Sequence, residues 1–264
     1  MKRFNLFHFT LGVLGMLMLS GCAKDDYSEE NDISKKLVVE AYVYAGEPIN
    51  HVKISKVHNE GDASPVPVET ANVRVFQDDL EFTLTPHPEI PGRYIQSDTS
   101  MLPLAYGESK LRISYQGRTH MANSAMPESI SNLEVSAETI TVTPDDTETT
   151  LAEITWNPVE NAAGYCIFIR NQSENATPIG NANYGEPSEN PFLIVNHNHK
   201  VELKSSHFTH FGEYEIYVTA VNEEYARIYE SNNSGSFASA PSNIENGWGV
   251  FTNFNGKTKT IVVQ

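Results

Sequence analysis

Apolar residues along this chain fall in short β-branched and aromatic runs, alternating in part with polar ones and broken by turn residues, so almost every segment reads as strand and turn. Leu37-Val38-Val39-Glu40-Ala41-Tyr42-Val43-Tyr44 is β-branched and aromatic and stops at Gly46-Glu47-Pro48. His51 to Val57 follows with partial alternation, and a Gly/Asp/Ser/Pro loop from Glu60 to Pro67 separates it from Val73-Arg74-Val75-Phe76. Asp78-Asp79 predicts a turn into Leu80-Glu81-Phe82-Thr83-Leu84, while Pro86, Pro88 and Pro91 exclude a central strand up to Gly92. Tyr94-Ile95 resumes the pattern. Leu111 to Tyr115, the Gln116-Gly117 turn and Arg118 to Ala122 predict a hairpin. Helical spacing is absent from this part, so residues 37–126 are expected to form one antiparallel β-sandwich.

Met126-Pro127-Glu128 marks a boundary. Beyond it, Trp156 ends a strand that starts near Leu151, Tyr165, Ile167 and Ile169 alternate along the next, and Val201 and Leu203 along a later one. Phe208-Thr209-His210-Phe211-Gly212-Glu213-Tyr214 then leads into Glu215 to Asn222. This stretch resembles a fibronectin type III domain. Trp156 matches the Trp that packs under the sheet in that family, and Tyr214 with Phe208 matches the tyrosine corner that opens the sixth strand. Ala220-Val221-Asn222 matches the end of that strand. The usual Pro-Gly of the corner is replaced by His210 and Phe211. The resemblance implies a second sandwich over 127–222, and the fold class is all-β, with two antiparallel β-sandwich domains.

Alternation then fixes faces. With Tyr165, Ile167 and Ile169 inward, Cys166 and Phe168 point outward; with Tyr214, Ile216, Val218 and Ala220 inward, Tyr217 and Val221 do the same. These four form an outer apolar patch, and such patches mark contacts. The patch is expected to meet the first domain, the C-terminal segment or a partner protein. Phe168, Tyr217 and Trp248 are the residues assigned to partner binding.

Residues 223–264 read as a C-terminal segment carrying final strands, with Lys257 to Val263 as a last strand that pairs with Trp248 to Phe254 or is added to one of the sandwiches. Asn246-Gly247 offers a tight turn and Gly249 permits close backbone approach. Ser242-Asn243-Ile244-Glu245-Asn246-Gly247-Trp248-Gly249-Val250-Phe251 resembles the closing signature of a Bacteroidota outer-membrane lipoprotein family labelled as a domain of unknown function. Leu37-Val38-Val39-Glu40 resembles its opening. That family's genes commonly sit beside those of TonB-dependent receptors, which implies a role in nutrient uptake or signalling.

The N-terminus agrees. Lys2 and Arg3 precede an apolar run from Phe4 to Leu19, which ends in Leu19-Ser20-Gly21-Cys22. This is a secretory leader over 1–21 with the pattern of a bacterial lipoprotein signal, so Cys22 is expected to carry lipid. A spanning helix needs about 20 apolar residues, more than this run supplies. Lys24-Asp25-Asp26 resembles the signal that sends such lipoproteins to the outer face of the outer membrane. Residues 22–36 are polar and acidic and read as a flexible tether, with a reach on the order of 20 Å. Loss of Lys2 and Arg3 takes the formal charge from −16 to −18, which argues against nucleic acid as a partner. With Cys22 lipidated, Cys166 has no cysteine to pair with.

Candidate chemistry is sparse. His197, His199, His207 and His210 raise zinc or copper binding, but no cysteine or acidic ligand stands at a supporting spacing, and the Asn196-His197-Asn198-His199 run reads as a solvated loop. Asp25-Asp26, Asp78-Asp79 and Asp145-Asp146 lack the alternation of a calcium loop. No nucleophile elbow or His-Glu-x-x-His run occurs. Tyr184, Phe192, Tyr225, Tyr229, Trp248 and Phe254 lie in Gly/Asn/Ser-rich surroundings suited to binding. The expectation is a non-catalytic, cofactor-free accessory or cargo-binding partner of a TonB-dependent receptor, anchored at the outer membrane. An adhesive or fimbrial subunit and a glycan- or peptide-binding lipoprotein are the alternatives. Cys22→Ala is expected to abolish metabolic labelling with palmitate. Replacing Lys24, Asp25 and Asp26 by Ala should keep the label but protect the protein from protease added to whole cells.

Overall fold

The computed structural model describes residues 36–57, 65–143, 149–180, 192–233 and 241–264. The leader, Cys22, Lys24, Asp25, Asp26, Tyr184 and Asp145-Asp146 lie outside them. Strands β1 (Leu37–Tyr44), β2 (His51–Lys56), β3 (Asn72–Gln77), β4 (Leu80–Pro86), β5 (Arg93–Gln96), β6 (Glu108–Tyr115) and β7 (Arg118–Ala125) build the first half. The second contains β8 (Ser131–Val135), β9 (Thr139–Ile140), β10 (Thr150–Asn157), β11 (Gly164–Asn171), β12 (Phe192–Asn196), β13 (Lys200–Lys204) and β14 (Gly212–Val221). Helix α1 (Glu223–Asn233) and strands β15 (Trp248–Phe254) and β16 (Gly256–Val263) follow. The fold is all-β.

Turn chemistry explains the local order. Gln116 and Gly117 both have positive φ, 47° and 78°, as a two-residue hairpin turn of the right twist demands. Strand β4 stops at Pro86 and the chain re-enters the sheet only at Arg93. Inward positions of β1, β2, β3, β4 and β6 close one core around Val39, Ile54, Val75, Phe82 and Ile113, all at most 2% exposed.

The first sheet runs β15-β1-β2-β5-β4-β3-β6-β7. It curls until β15 lies beside β7, where Asn253 Nδ2 donates to the Ser124 carbonyl at 2.7 Å. The second sandwich packs β13-β10-β8 against β12-β11-β14-β16-β9. Its core holds Trp156 against Tyr165, with ring centroids 5.1 Å apart. The tyrosine corner forms: Tyr214 Oη donates to the His210 carbonyl at 2.9 Å, and Phe208 meets the Tyr214 ring edge-on. His210 N–H donates back to Tyr214 Oη at 3.2 Å, a bond that a proline at this position has no hydrogen to make. Strand layout and corner together make this half fibronectin type III-like.

One expectation is corrected. Pairing is not antiparallel throughout, because β15 runs parallel to β1 and β9 parallel to β16. Parallel neighbours need a long connection between them, and here most of the chain intervenes between β1 and β15. The last strand of residues 223–264 joins a sandwich, one of the two placements open to it. Strand β15 completes the first sheet, and β16 pairs with β14 as the last long strand of the second sandwich. Helix α1 was not foreseen, because its Glu-Glu-Tyr-Ala-Arg start runs directly into Asn- and Ser-rich sequence.

Gly249 shows what the β1–β15 pairing requires. Its φ is +111°, and a Cβ there would stand 1.9 Å from the Val39 carbonyl oxygen. Gly46 also has positive φ, but open space surrounds its Cβ position. Gly249→Ala is therefore expected to cost about 3 kcal/mol or more and to lower the melting of both sandwiches together. Gly46→Ala should cost about 1 kcal/mol. Calorimetric scans of the two variants check the contrast.

Candidate functional site

The outward-facing apolar side chains of β11 and β14 are covered from within the chain. Cys166 is fully buried, Val221 nearly so, and both pack with Ala226 of α1 and Phe254 of β15. Tyr42 and Tyr44, on the outer face of β1, close the seam from the first sandwich. Phe254 sits at the centre, its ring centroid 5.1 Å from Tyr44, 5.2 Å from Tyr225, 5.6 Å from Phe168 and 5.9 Å from Tyr42. Rings arranged edge-on and tilted contribute about 0.5–1.5 kcal/mol per pair beyond their burial. Phe168 and Tyr217, assigned in sequence to a partner, here meet Tyr44 of the first domain and Phe254 of the C-terminal segment, which are the contacts within the chain that the patch was also expected to make. Apolar burial between the sandwiches takes the face that alternation exposed. Burial pushes the Cys166 thiol far above its usual range, against the hydrogen bond that Tyr225 offers it.

Trp248 is half-buried, and Lys36 Nζ stands over its ring at 4.7 Å, a cation–π contact. The signature residues around it have structural duties. The Asn243 side chain accepts from Phe251 N–H at 2.9 Å and donates to the Phe251 carbonyl at 2.7 Å. Asn246 adopts φ +60°, and its carbonyl accepts from His120 Nδ1 at 3.0 Å. At Gly247 a Cβ would meet the Leu37 carbonyl oxygen at 2.9 Å.

The histidines do not converge. His210 is buried in the tyrosine corner, His207 Nδ1 accepts from Lys204 N–H at 3.2 Å, and His197 Nδ1 donates to the Ala163 carbonyl at 3.1 Å. Among the described residues no three His, Cys, Asp or Glu side chains gather around one point. Of the other flagged aromatics, Tyr225 and Phe254 belong to the seam.

An open cleft of about 360 Å³ lies on the outer face of the first sheet, lined by Glu40, Tyr42, His51, Lys53, Ile90 and Arg93. Register places these groups. Tyr42 faces His51 across β1–β2, Glu40 faces Lys53, and Lys53 faces Arg93 across β2–β5. Burial, then Arg93 and Arg170, lower the His51 pKa, so the imidazole favours its neutral form. Burial foremost, with help from Glu40, pushes the Tyr42 phenol up to about 12. A separate, smaller cavity of about 60 Å³ also has His51 in its lining, together with Glu47, Phe168, Arg170, Glu215 and Tyr217. The Glu47 carboxyl is raised by burial and by Glu215, with Arg170 opposing. Sequence reading missed this cleft. Its signal was the charged outward positions of β1, β2 and β5, but only the strand order brings them together.

The domain of unknown function DUF4249 matches residues 24–260. The chain belongs to the DUF4249 family. No curated protein matches it. Among solved structures, the FN1–FN3 domains of chicken CNTN1 are similar at 16% identity with a TM-score of 0.26. The match covers 85% of this DUF4249 chain, which spans only 62% of the CNTN1 chain. Cys166 of this DUF4249 protein is expected to resist Ellman's reagent in the native state and react after denaturation. Tyr225→Ala, which opens the cover over the thiol, should speed native labelling at least tenfold, read as the absorbance time course.

Proposed function

We propose that this DUF4249 protein is a surface-exposed lipoprotein of the outer membrane. It acts without catalysis, as an accessory or cargo-binding partner of a TonB-dependent receptor in nutrient uptake. The observation that carries the reading is the leader ending at Leu19-Ser20-Gly21-Cys22, followed by Lys24-Asp25-Asp26 and joined to a β-sandwich body. Lipid at Cys22 would hold the body at the membrane, and its acidity would keep it off an anionic surface. The seam between the sandwiches supports the same reading, since a body closed by aromatic packing presents its outer faces in fixed relation to each other. Trp248 stands where Lys36, the last tether residue, enters the body, and its exposed edge is the contact offered to a receptor.

The fimbrial alternative requires an exchangeable end strand. Strand β16 pairs along its length with β14 and at its end with β9, which weighs against donation. Extraction of the tagged protein from its own outer membrane in mild detergent, followed by mass spectrometry, is expected to recover a stoichiometric β-barrel receptor. Trp248→Ala should reduce that recovery severalfold. Recovery of the protein alone, or of its own multimers, would sink the proposal.

A further inference from the structure

We infer that the cleft on the outer face of the first sheet binds a small anionic ligand carrying carboxylate or phosphate groups. The inference gives a chemical class to the cargo of the reading above and rests on it for its biological sense. Its physical basis is independent. Lys53 and Arg93 stand directly opposite each other across β2–β5. Like charges in that position destabilise a sheet unless something neutralises them. Glu40, opposite Lys53 on the other side, supplies one negative charge for two positive ones. Among the described residues neither Lys53 nor Arg93 forms an ion pair. That is unexpected in a chain with 34 acidic and 18 basic side chains, where carboxylates are the commoner neighbour.

Arg93 is held in place. Its Nε donates to the Asn50 carbonyl at 2.9 Å, which orients the guanidinium plane and leaves its terminal nitrogens for a ligand. A planar fork of that kind matches a carboxylate or phosphate through two parallel hydrogen bonds. The Tyr42 ring and Ile90 give the cleft apolar walls, and a volume of about 360 Å³ suits a small molecule. His51 is part of the lining and adds a ring N–H donor.

The test is calorimetric titration of the purified full chain with citrate, and separately with inorganic phosphate, at fixed ionic strength and without receptor. Saturable binding of at least one probe is expected. Arg93→Gln and Lys53→Gln should each weaken it about tenfold, as loss of a charged hydrogen bond does. Glu40→Gln should strengthen it severalfold by removing the competing charge. Lys53 is exposed, so Lys53→Gln carries the test if Arg93→Gln, which loses the bond to Asn50, melts early. Absence of saturable heat with both probes overturns the inference, and so does binding that all three substitutions leave unchanged. Receptor recovery with neither probe bound would remove this site and leave the partnership standing. Probe binding without receptor recovery would do the reverse.

Discussion

Every larger feature of this molecule depends on one crossing of the backbone, at Asn255. Strand β15 ends at Phe254 in the first sheet and β16 begins at Gly256 in the second. Asn255 is buried at the junction. Its Nδ2 donates to the Ala105 and Pro127 carbonyls at 3.1 and 3.0 Å, and its N–H donates to Thr219 Oγ1 at 3.1 Å. Both protons of one amide are thus spent on carbonyls from the loop before β6 and from the link after β7. A buried amide satisfied on all its donors orients its surroundings far more tightly than an apolar side chain of equal size. With this point fixed, Phe254 falls into the seam and the Gly256 N–H reaches Tyr217 Oη at 2.8 Å.

The apolar seam follows from that crossing. A fibronectin-like sandwich whose sixth and last strands are neighbours ordinarily joins them by a short hairpin. Here the chain leaves β14 at Val221, makes α1, crosses to the first sheet as β15 and returns as β16. The excursion lays Ala226 and Phe254 on the outer face of β11 and β14 and brings Tyr42 and Tyr44 with them. Asn222 and Glu224 tie the start of the helix to β7 through Ser124, which accepts from Asn222 Nδ2 at 3.1 Å and donates to Glu224 Oε1 at 2.6 Å. Packing and hydrogen bonds therefore fix the helix from opposite sides.

Much of this was legible in the residues themselves. Period-two alternation named the inward residues of β11 and β14. Tyr214 and Phe208 announced the corner, and the outward set Cys166, Phe168, Tyr217 and Val221 was readable as a patch needing cover. What covers it was not readable, because period and propensity describe a strand's faces and are silent on its neighbours. The parallel placement of β15 beside β1 was equally hidden. Gly249 hinted at close backbone approach without naming Val39 as the approaching group. The cleft escaped for the same reason: Glu40, Lys53 and Arg93 are each ordinary solvent-facing charges in sequence, and only the order β1-β2-β5 sets them in one row.

The sharing of residues 248–263 between the sheets also shapes how the chain is made. Synthesis delivers the N-terminal strands first; the eight-stranded sheet lacks a strand until residues 248–254 have emerged, and the five-stranded sheet until residues 256–263 have. The usual vectorial scheme, in which a leading domain folds while a trailing one is still being built, is closed to this protein. A nascent chain stays open along two sheet edges and so remains threadable until β15 and β16 arrive. A product cut short near Asn246 is not one good domain with a ragged tail. It is two incomplete ones, each presenting an unpaired edge to chaperones and proteases.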